Sequence, residues 1–352
     1  MNENIRKVVP YVPGEQPKRK GIIKLNTNEC PYPPSPRVKK ALSGIDYERL
    51  RLYPDPAASD LVDNWAKRCG LNKDQVFVGV GSDDVLSMCF LTFFAGERTI
   101  TFPDITYSFY DVWCDVYRIP YEVKPLKDDF TIDIKDYTKG DFGGVVIANP
   151  NAPTGVALPL NDIEKIVKAN KNCVVIVDEA YVDFGAESSV GLIEKYDNLI
   201  VVQTFSKSRA MAGMRIGFAM GCPTLIKYLN DVKYSVNSYT MNYPSIVAGT
   251  AAIKDENYFK KIVSRVMSTR DRMEKELAEL GFSFNKSSAN FIFAKHESIP
   301  GAEIFERLKK RKIYVRHWDK ERISDYLRIT IGTDDEMDRL IDALKEIIGS
   351  KE

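Results

Sequence analysis

The chain has 352 residues, a length that fits about two domains. Hydrophobic residues make up 44% and charged residues 28%, a balance that supports a sizeable buried core. Lys and Arg (50) nearly cancel Asp and Glu (49), and a net charge of +1 gives no electrostatic reason for nucleic acid or an anionic membrane as partner. The opening MNENIRKVVPYVPGEQPKRKG holds no signal-peptide core and no later run reaches membrane-spanning length, so a cytoplasmic address is expected. The six cysteines (30, 69, 89, 114, 173 and 222) are scattered, without a CxxC pair and with only two histidines beside them. Reduced, buried thiols are expected rather than zinc or disulfides.

In chain order, the first 35 residues are proline-rich and lack helical periodicity, which predicts an extended arm ending in LNTNECPYPPSP. Helical patterning begins at 36–42, and a turn at RLYPDP (51–56) precedes a helix over 57–68. Then the pattern alternates: QVFVGVGS reads as strand and glycine turn, DVLSMCFLTFFA as an apolar helix, RTITFPDITYSFY as strand, loop and helix. Short apolar strands follow in GGVVIANP, CVVIVDEAY, NLIVVQTFS and IGFAMG. Strands alternating with helices predict an α/β fold with a mostly parallel sheet covered on both faces. After about residue 244 the character changes to a long charged helix (257–280), strands near FSFNKSSANFIFAKH, KIYVRHW and YLRITIG, and a terminal helix. The division expected is an arm and part of a small domain over 1–45, a large domain over 46–250 and a smaller α+β domain over 251–352.

Ligands of parallel sheets bind beyond the carboxyl ends of the strands, and the polar residues gather there. GVGSDD (79–84) sets glycines and Ser82 between a strand and a helix, where free backbone N–H groups and the helix dipole attract phosphate, although the full GxGxxG spacing is missing. VVIVDEAY (174–181) carries Asp178 to a strand tip, as a helix cap or as the partner of a cationic ring nitrogen. NPNAPTG (149–155) is a turn-rich loop after another strand. In VVQTFSKSRAMAGMRIGF (201–218), Lys207 follows a core strand amid hydroxyls, with Arg215 eight residues on. Taken alone Lys207 reads equally as a solvated loop lysine. Beside a second cation it favours the neutral, nucleophilic amine that makes Schiff bases. Arg215, Ser206, Thr204 and the Ser82 amide would hold a dianionic phosphate. An acid for a ring nitrogen, an imine-forming lysine and a phosphate cup together describe pyridoxal phosphate.

With those residues in view, the chain resembles the fold-type I pyridoxal-phosphate aminotransferases, and more narrowly the histidinol-phosphate aminotransferase family. LNTNECPYPPSP, RLYPDP, GVGSDD, NPNAPTG, DEAY, FSKSRAMAGMRIGF and LRITIGT match family patterns in order over nearly the whole chain. The resemblance implies a seven-stranded large-domain sheet. It makes Lys207 the imine-forming lysine, Asp178 the partner of the ring nitrogen, and Tyr181 a donor to the cofactor's phenolic oxygen. Tyr107 would stack on the ring; Ser82 and Asp83 (through backbone amides), Thr204, Ser206 and Arg215 would cup the phosphate. Tyr53 would reach the phosphate of a neighbouring subunit, implying a homodimer with shared sites. Arg316 and Arg328 resemble two arginines that grip the phosphate of histidinol phosphate, with Asn26 and Tyr32 closing over it. The family's second asparagine before Pro-Thr-Gly is here Ala152, so either Asn151 substitutes or Tyr181 serves the oxygen alone. Cys30 replaces the more usual asparagine before proline in the arm.

The implied reaction moves the amino group of histidinol phosphate to a keto acid, 2-oxoglutarate, returning glutamate, with no metal. Rivals on the same scaffold are an aromatic aminotransferase and a phosphothreonine-type decarboxylase; from other classes, a non-enzymatic binding protein that retains the fold, and a dinucleotide dehydrogenase, which the missing third glycine disfavours.

Overall fold

The structure is a computed structural model and describes residues 5–18 and 21–349. The arm contributes strand β1 (Ile23–Lys24). Seven short runs rich in valine, isoleucine and glycine then form β2 (Val76–Gly79), β3 (Ile100–Pro103), β4 (Tyr121–Lys124), β5 (Gly144–Ala148), β6 (Val174–Asp178), β7 (Leu199–Thr204) and β8 (Gly217–Gly221). They make one sheet in the order β2-β8-β7-β6-β5-β3-β4. Strand β8 is antiparallel to both its neighbours, and every other adjacent pair is parallel.

Both faces of the central strands are dry, which is why these strands are apolar throughout rather than alternating with polar residues. Val145, Ile147, Val175, Val177 and Val201 point to one face, covered by helices Ser59–Cys69, Leu160–Ala169 and Tyr243–Ile253. Val146, Ile176, Ile200 and Val202 point to the other, under helices Ser82–Phe93, Tyr110–Tyr117 and Pro223–Val236. The period of two along each strand sorts the residues. Helices Pro223–Val236 and Tyr243–Ile253 have no individual counterpart in the sequence reading; the second is apolar on nearly every side, so it shows no helical stripe.

A second core forms around helix Glu256–Glu279. Strands β9 (Phe282–Phe284), β10 (Phe291–His296), β12 (Arg316–His317) and β13 (Tyr326–Thr330) make an antiparallel sheet in the order β12-β13-β10-β9. Strand β11 (Ile313–Tyr314) instead pairs in parallel with β1 of the arm. Ile23 and Leu25 are buried in this second core, and their burial pins this stretch of the arm there. The arm therefore runs from β1 past the carboxyl ends of the large sheet, and a cleft opens between the two cores. Among the described residues no helix is long and apolar enough to cross a membrane.

Candidate active site

The cleft holds two connected compartments. The inner one, about 160 Å³, lies at the carboxyl ends of β2, β6 and β7 and is lined by Ser82, Asp83, Tyr107, Asp178, Tyr181, Ser206, Lys207 and Arg215 among others. Residues 178, 207 and 215, distant along the chain, thus face one cavity. Its floor depends on two close approaches. A Cβ on Gly217 would lie 2.4 Å from the backbone of Gly81 and Ser82, and one on Gly81 would lie 2.5 Å from the Arg215 guanidinium. Only glycines let the turn into helix Ser82–Phe93 lie flat on β8 with Arg215 above it. Gly81 has φ +89° and Arg215 itself sits in the left-handed region at φ +52°, an uncommon conformation for a side-chain-bearing residue. Arg215 pairs with Asp83 at 3.1 Å, and Asp83 also accepts from the Tyr107 hydroxyl at 2.8 Å.

Lys207 is held in the cavity because its neighbours are anchored elsewhere. Ser208 donates to Asp183 at 2.5 Å, and Arg209 is buried against Glu256 (2.6 Å), the Ala252 carbonyl (2.9 Å) and the ring of Phe259 (4.2 Å). With both following side chains fixed behind the loop, the Lys207 side chain runs forward, and its Nζ donates to the Thr27 carbonyl of the arm at 3.3 Å. Asp178 is buried at the tip of β6, where burial pushes its pKa up to about 6 against the pull of the Tyr110 hydroxyl (2.8 Å) and the Ala180 amide (3.2 Å). A carboxylate so placed gains from any cation that enters the compartment. Its neighbour Glu179, pushed by burial to about 7, faces away and ties Ser188, Ser189 and Gln203 together.

The outer compartment, about 490 Å³, shares Thr27, Tyr107, Ala152, Tyr181 and Lys207 with the inner one and is closed by Tyr11, Asn26, Arg316, Trp318 and Arg328. Arg316 and Arg328 are register partners on β12 and β13. Arg328 donates to the Asn26 carbonyl (3.0 Å) and Arg316 to the Val12 carbonyl (3.2 Å); among the described residues neither has a carboxylate within ion-pair distance. The Nε of Arg328 is buried without a partner, and burial lowers the pKa of this guanidinium. Two cations that face one cleft with no ion-pair partner among the described residues form a site for an anion.

Comparison with known proteins fits this geometry. Residues 20–344 match the family model of class I and II aminotransferases. The chain is 51% identical to a histidinol-phosphate aminotransferase of Lactococcus lactis subsp. cremoris, over 99% of this chain and 98% of that one. It is 53% identical to a histidinol-phosphate aminotransferase of Clostridium botulinum, with 98% of each covered. The chain belongs to the histidinol-phosphate aminotransferase family. Its fold matches the solved histidinol-phosphate aminotransferase of Sinorhizobium meliloti in complex with pyridoxal-5′-phosphate, at a TM-score of 0.85 and 23% identity, over 93% of this chain and 91% of that one.

Within this aminotransferase, three residues expected at the site lie elsewhere. Asn151 does not reach the inner compartment: its amide donates to the Ile105 carbonyl (2.9 Å) and Thr154 (3.1 Å) and accepts from Thr106 (2.8 Å), so its capacity is spent on bracing the loop. Thr204 is buried beneath the cup, bonded to Ser206 (3.0 Å) and the Ile216 carbonyl (3.2 Å), and supports Ser206 rather than lining the cavity. Tyr32 packs on the second core with the Arg265 guanidinium 4.6 Å from its ring, outside the cleft. Tyr53, expected to reach the site of a neighbouring subunit, is 81% exposed and stacks on Tyr239 at 4.5 Å, outside both compartments of its own chain. The sequence reading also missed Tyr11, Asn28, Tyr110 and Trp318. Asn28 matters most: its amide donates to the Tyr181 hydroxyl at 2.8 Å, while the position before Pro153 offers only the methyl of Ala152.

Proposed function

We propose that this chain transfers the amino group of L-histidinol phosphate to 2-oxoglutarate with pyridoxal 5′-phosphate as cofactor. The observation that carries the substrate is the pair Arg316 and Arg328, without an ion-pair partner among the described residues and in the same cleft as Lys207. The inner compartment fits the cofactor by its donor set: the amides at the start of helix Ser82–Phe93, the Ser206 hydroxyl and Arg215 suit a phosphate, Asp178 a protonated ring nitrogen, and Tyr181 a phenolic oxygen. Tyr107 would lie against the ring. When bound, pyridoxal phosphate supplies an aldehyde that captures the substrate amine and a ring that accepts the electron pair released at the substrate's Cα.

The chain's own residues do the rest. Lys207 takes the proton from the substrate Cα and delivers it on the cofactor side, the work of a positioned general base and acid. Asp178, as a carboxylate, holds a proton on the ring nitrogen. Arg316 and Arg328 bind the phosphate of the amine and fix its Cα–H toward Lys207, and the arm, with Asn26 and Tyr11, shields the cleft from water.

We also infer a homodimer in which Tyr53 of the partner subunit completes the phosphate cup. Tyr47, Leu50, Leu52, Tyr53, Val236 and Tyr239 are exposed, and the Tyr53–Tyr239 stack joins their two segments into one apolar face, more than an isolated surface needs. A solution mass of one chain would remove this inference.

A half-reaction screen tests the substrate. Histidinol phosphate, histidine, phenylalanine and phosphothreonine are added in turn to the cofactor-loaded protein, and conversion of the cofactor to its amine form is followed by absorbance. Histidinol phosphate is expected to convert it at the lowest concentration. Equal conversion by phenylalanine, or carbon dioxide release from phosphothreonine, would replace the reading with a rival.

A further inference from the structure

Two arginines side by side, with no carboxylate within ion-pair distance among the described residues, need something to keep them from splaying apart. Arg316 and Arg328 sit directly opposite each other on an antiparallel pair, so their side chains leave the same face of the sheet, an arrangement in which like charges repel. Each has one backbone carbonyl as acceptor, Val12 and Asn26 respectively, and these lie on the arm rather than between the two cations. What lies against both is an aromatic face. The Cζ of Arg316 is 5.3 Å from the centre of the Trp318 ring and that of Arg328 is 5.1 Å from the same ring. Trp318 follows Arg316 by two residues in extended chain, the spacing that returns a side chain to the same side. Behind it, Trp318 packs against the small cluster of Leu126, Phe130, Phe293 and Ile323, which fixes the plane of the indole.

We propose that Trp318 is the positioning residue of this arginine pair and thereby sets the preference for a phosphorylated amine. The inference rests on the reading of Arg316 and Arg328 as the phosphate grip. The negative face of one indole attracts both guanidiniums at once, which offsets their mutual repulsion without supplying a carboxylate. The difference is chemical. An acid in this place would hold the arginines equally well but would compete with the substrate's phosphate for their N–H groups, whereas a π face leaves the forked donors free to bind oxygen bidentately. The site is thus held together by a group that an anion does not have to displace. Neutral relief of this kind favours dianions over uncharged substituents, so selectivity between a phosphate ester and the corresponding alcohol should follow the indole.

The test measures the half-reaction with L-histidinol phosphate and with its dephosphorylated counterpart, L-histidinol, in wild type, Trp318→Phe and Trp318→Leu, each loaded with cofactor. Wild type is expected to prefer the phosphorylated amine. Trp318→Leu keeps an apolar side chain but no π face, and should lower that preference about tenfold, through the half-saturation concentration for the phosphorylated amine. Trp318→Phe, with a smaller face, should recover most of the loss. The proposal is overturned if Trp318→Leu keeps the wild-type preference within about twofold, or if Trp318→Phe falls as far as Trp318→Leu, since volume and not the aromatic face would then be the cause. If Trp318→Leu does not fold, Trp318→Phe and Trp318→Tyr decide: with its ring face kept in each, wild-type preference must largely survive, and its collapse in both overturns the proposal. Absence of any preference in wild type would instead remove the phosphate reading itself, independently of Trp318.

Discussion

The two compartments of the cleft solve opposite problems. In the inner one the polar groups are already matched to one another: Arg215 with Asp83, Tyr107 with Asp83, Tyr110 with Asp178. Asp178 ends β6, Asp83 and Tyr110 stand in the first turns of helices that cover the sheet, and Arg215 lies just before β8. In the outer one two arginines face the cleft without an ion-pair partner among the described residues, and the contacts that hold them reach far along the chain, as from Arg328 to Asn26. Machinery that performs the same proton transfers on every substrate gains from being pre-formed. A surface that must distinguish substrates gains from groups that only the right ligand satisfies, because a ligand lacking the matching charge leaves them unpaired.

The largest effect should come from the inner compartment. Lys207→Ala removes the amine at the carboxyl ends of β6 and β7 that lines both compartments, and turnover should fall by about 10³-fold or more, the loss expected for a general base that is also the attachment point. Borohydride should then no longer fix the cofactor to the chain, which mass measurement reads directly. Near-normal turnover would break the contrast between the compartments at its root.

The next effect separates them. Arg328→Ala should raise the half-saturation concentration for histidinol phosphate about 100-fold, the scale of losing a desolvated charge-assisted contact, while leaving cofactor retention close to wild type. Arg215→Ala should do the reverse and release the cofactor on dialysis. Parallel losses in both variants would mean that the cleft is one site rather than two.

That division also explains what could be read from the sequence. Lys207, Asp178, Arg215, Ser82 and Ser206 each lie in a short contiguous motif at a strand end, and strand ends are where a parallel sheet gathers its ligands. Their convergence follows from strand order alone. Asn151 misled because spacing does not report where an amide is spent; its loop consumes all three of its bonds, and the amide near Tyr181 comes instead from Asn28, 153 residues earlier. Tyr110 hides in an ordinary helical stretch whose apolar face is its most visible feature. Trp318 and Tyr11 belong to the outer compartment only through long-range packing, which carries no local signature. Tyr53 is set on an exposed face, where it stacks on Tyr239, and a role at a neighbouring subunit leaves no mark within one chain.

The smallest effect concerns Asp178 and appears only without cofactor. In the unfolded chain its carboxyl titrates at the ordinary 3.8; in the folded chain burial moves it to about 6. The folded state therefore holds this proton more tightly. Its contribution to stability is present below about pH 4 and is lost as pH rises through about 6, and the shift of about two units bounds the loss below about 3 kcal/mol. Asp178→Asn has no proton to lose, although its amide must face one of the two donors, Tyr110 or Ala180, that the carboxylate accepts from. The melting temperature of cofactor-free wild type, relative to that of Asp178→Asn, should thus fall between about pH 4 and 7 and stay level above. Glu179 titrates in both proteins and cancels in the difference. Loading pyridoxal phosphate should abolish the fall, because a protonated ring nitrogen stabilises the ionised carboxylate and returns its pKa toward the usual range. A difference that is flat with pH in the cofactor-free protein would mean that Asp178 is already ionised there. A fall that persists after loading would mean that no cation meets it, and the inner compartment would then lack the ring-nitrogen partner on which its chemistry depends.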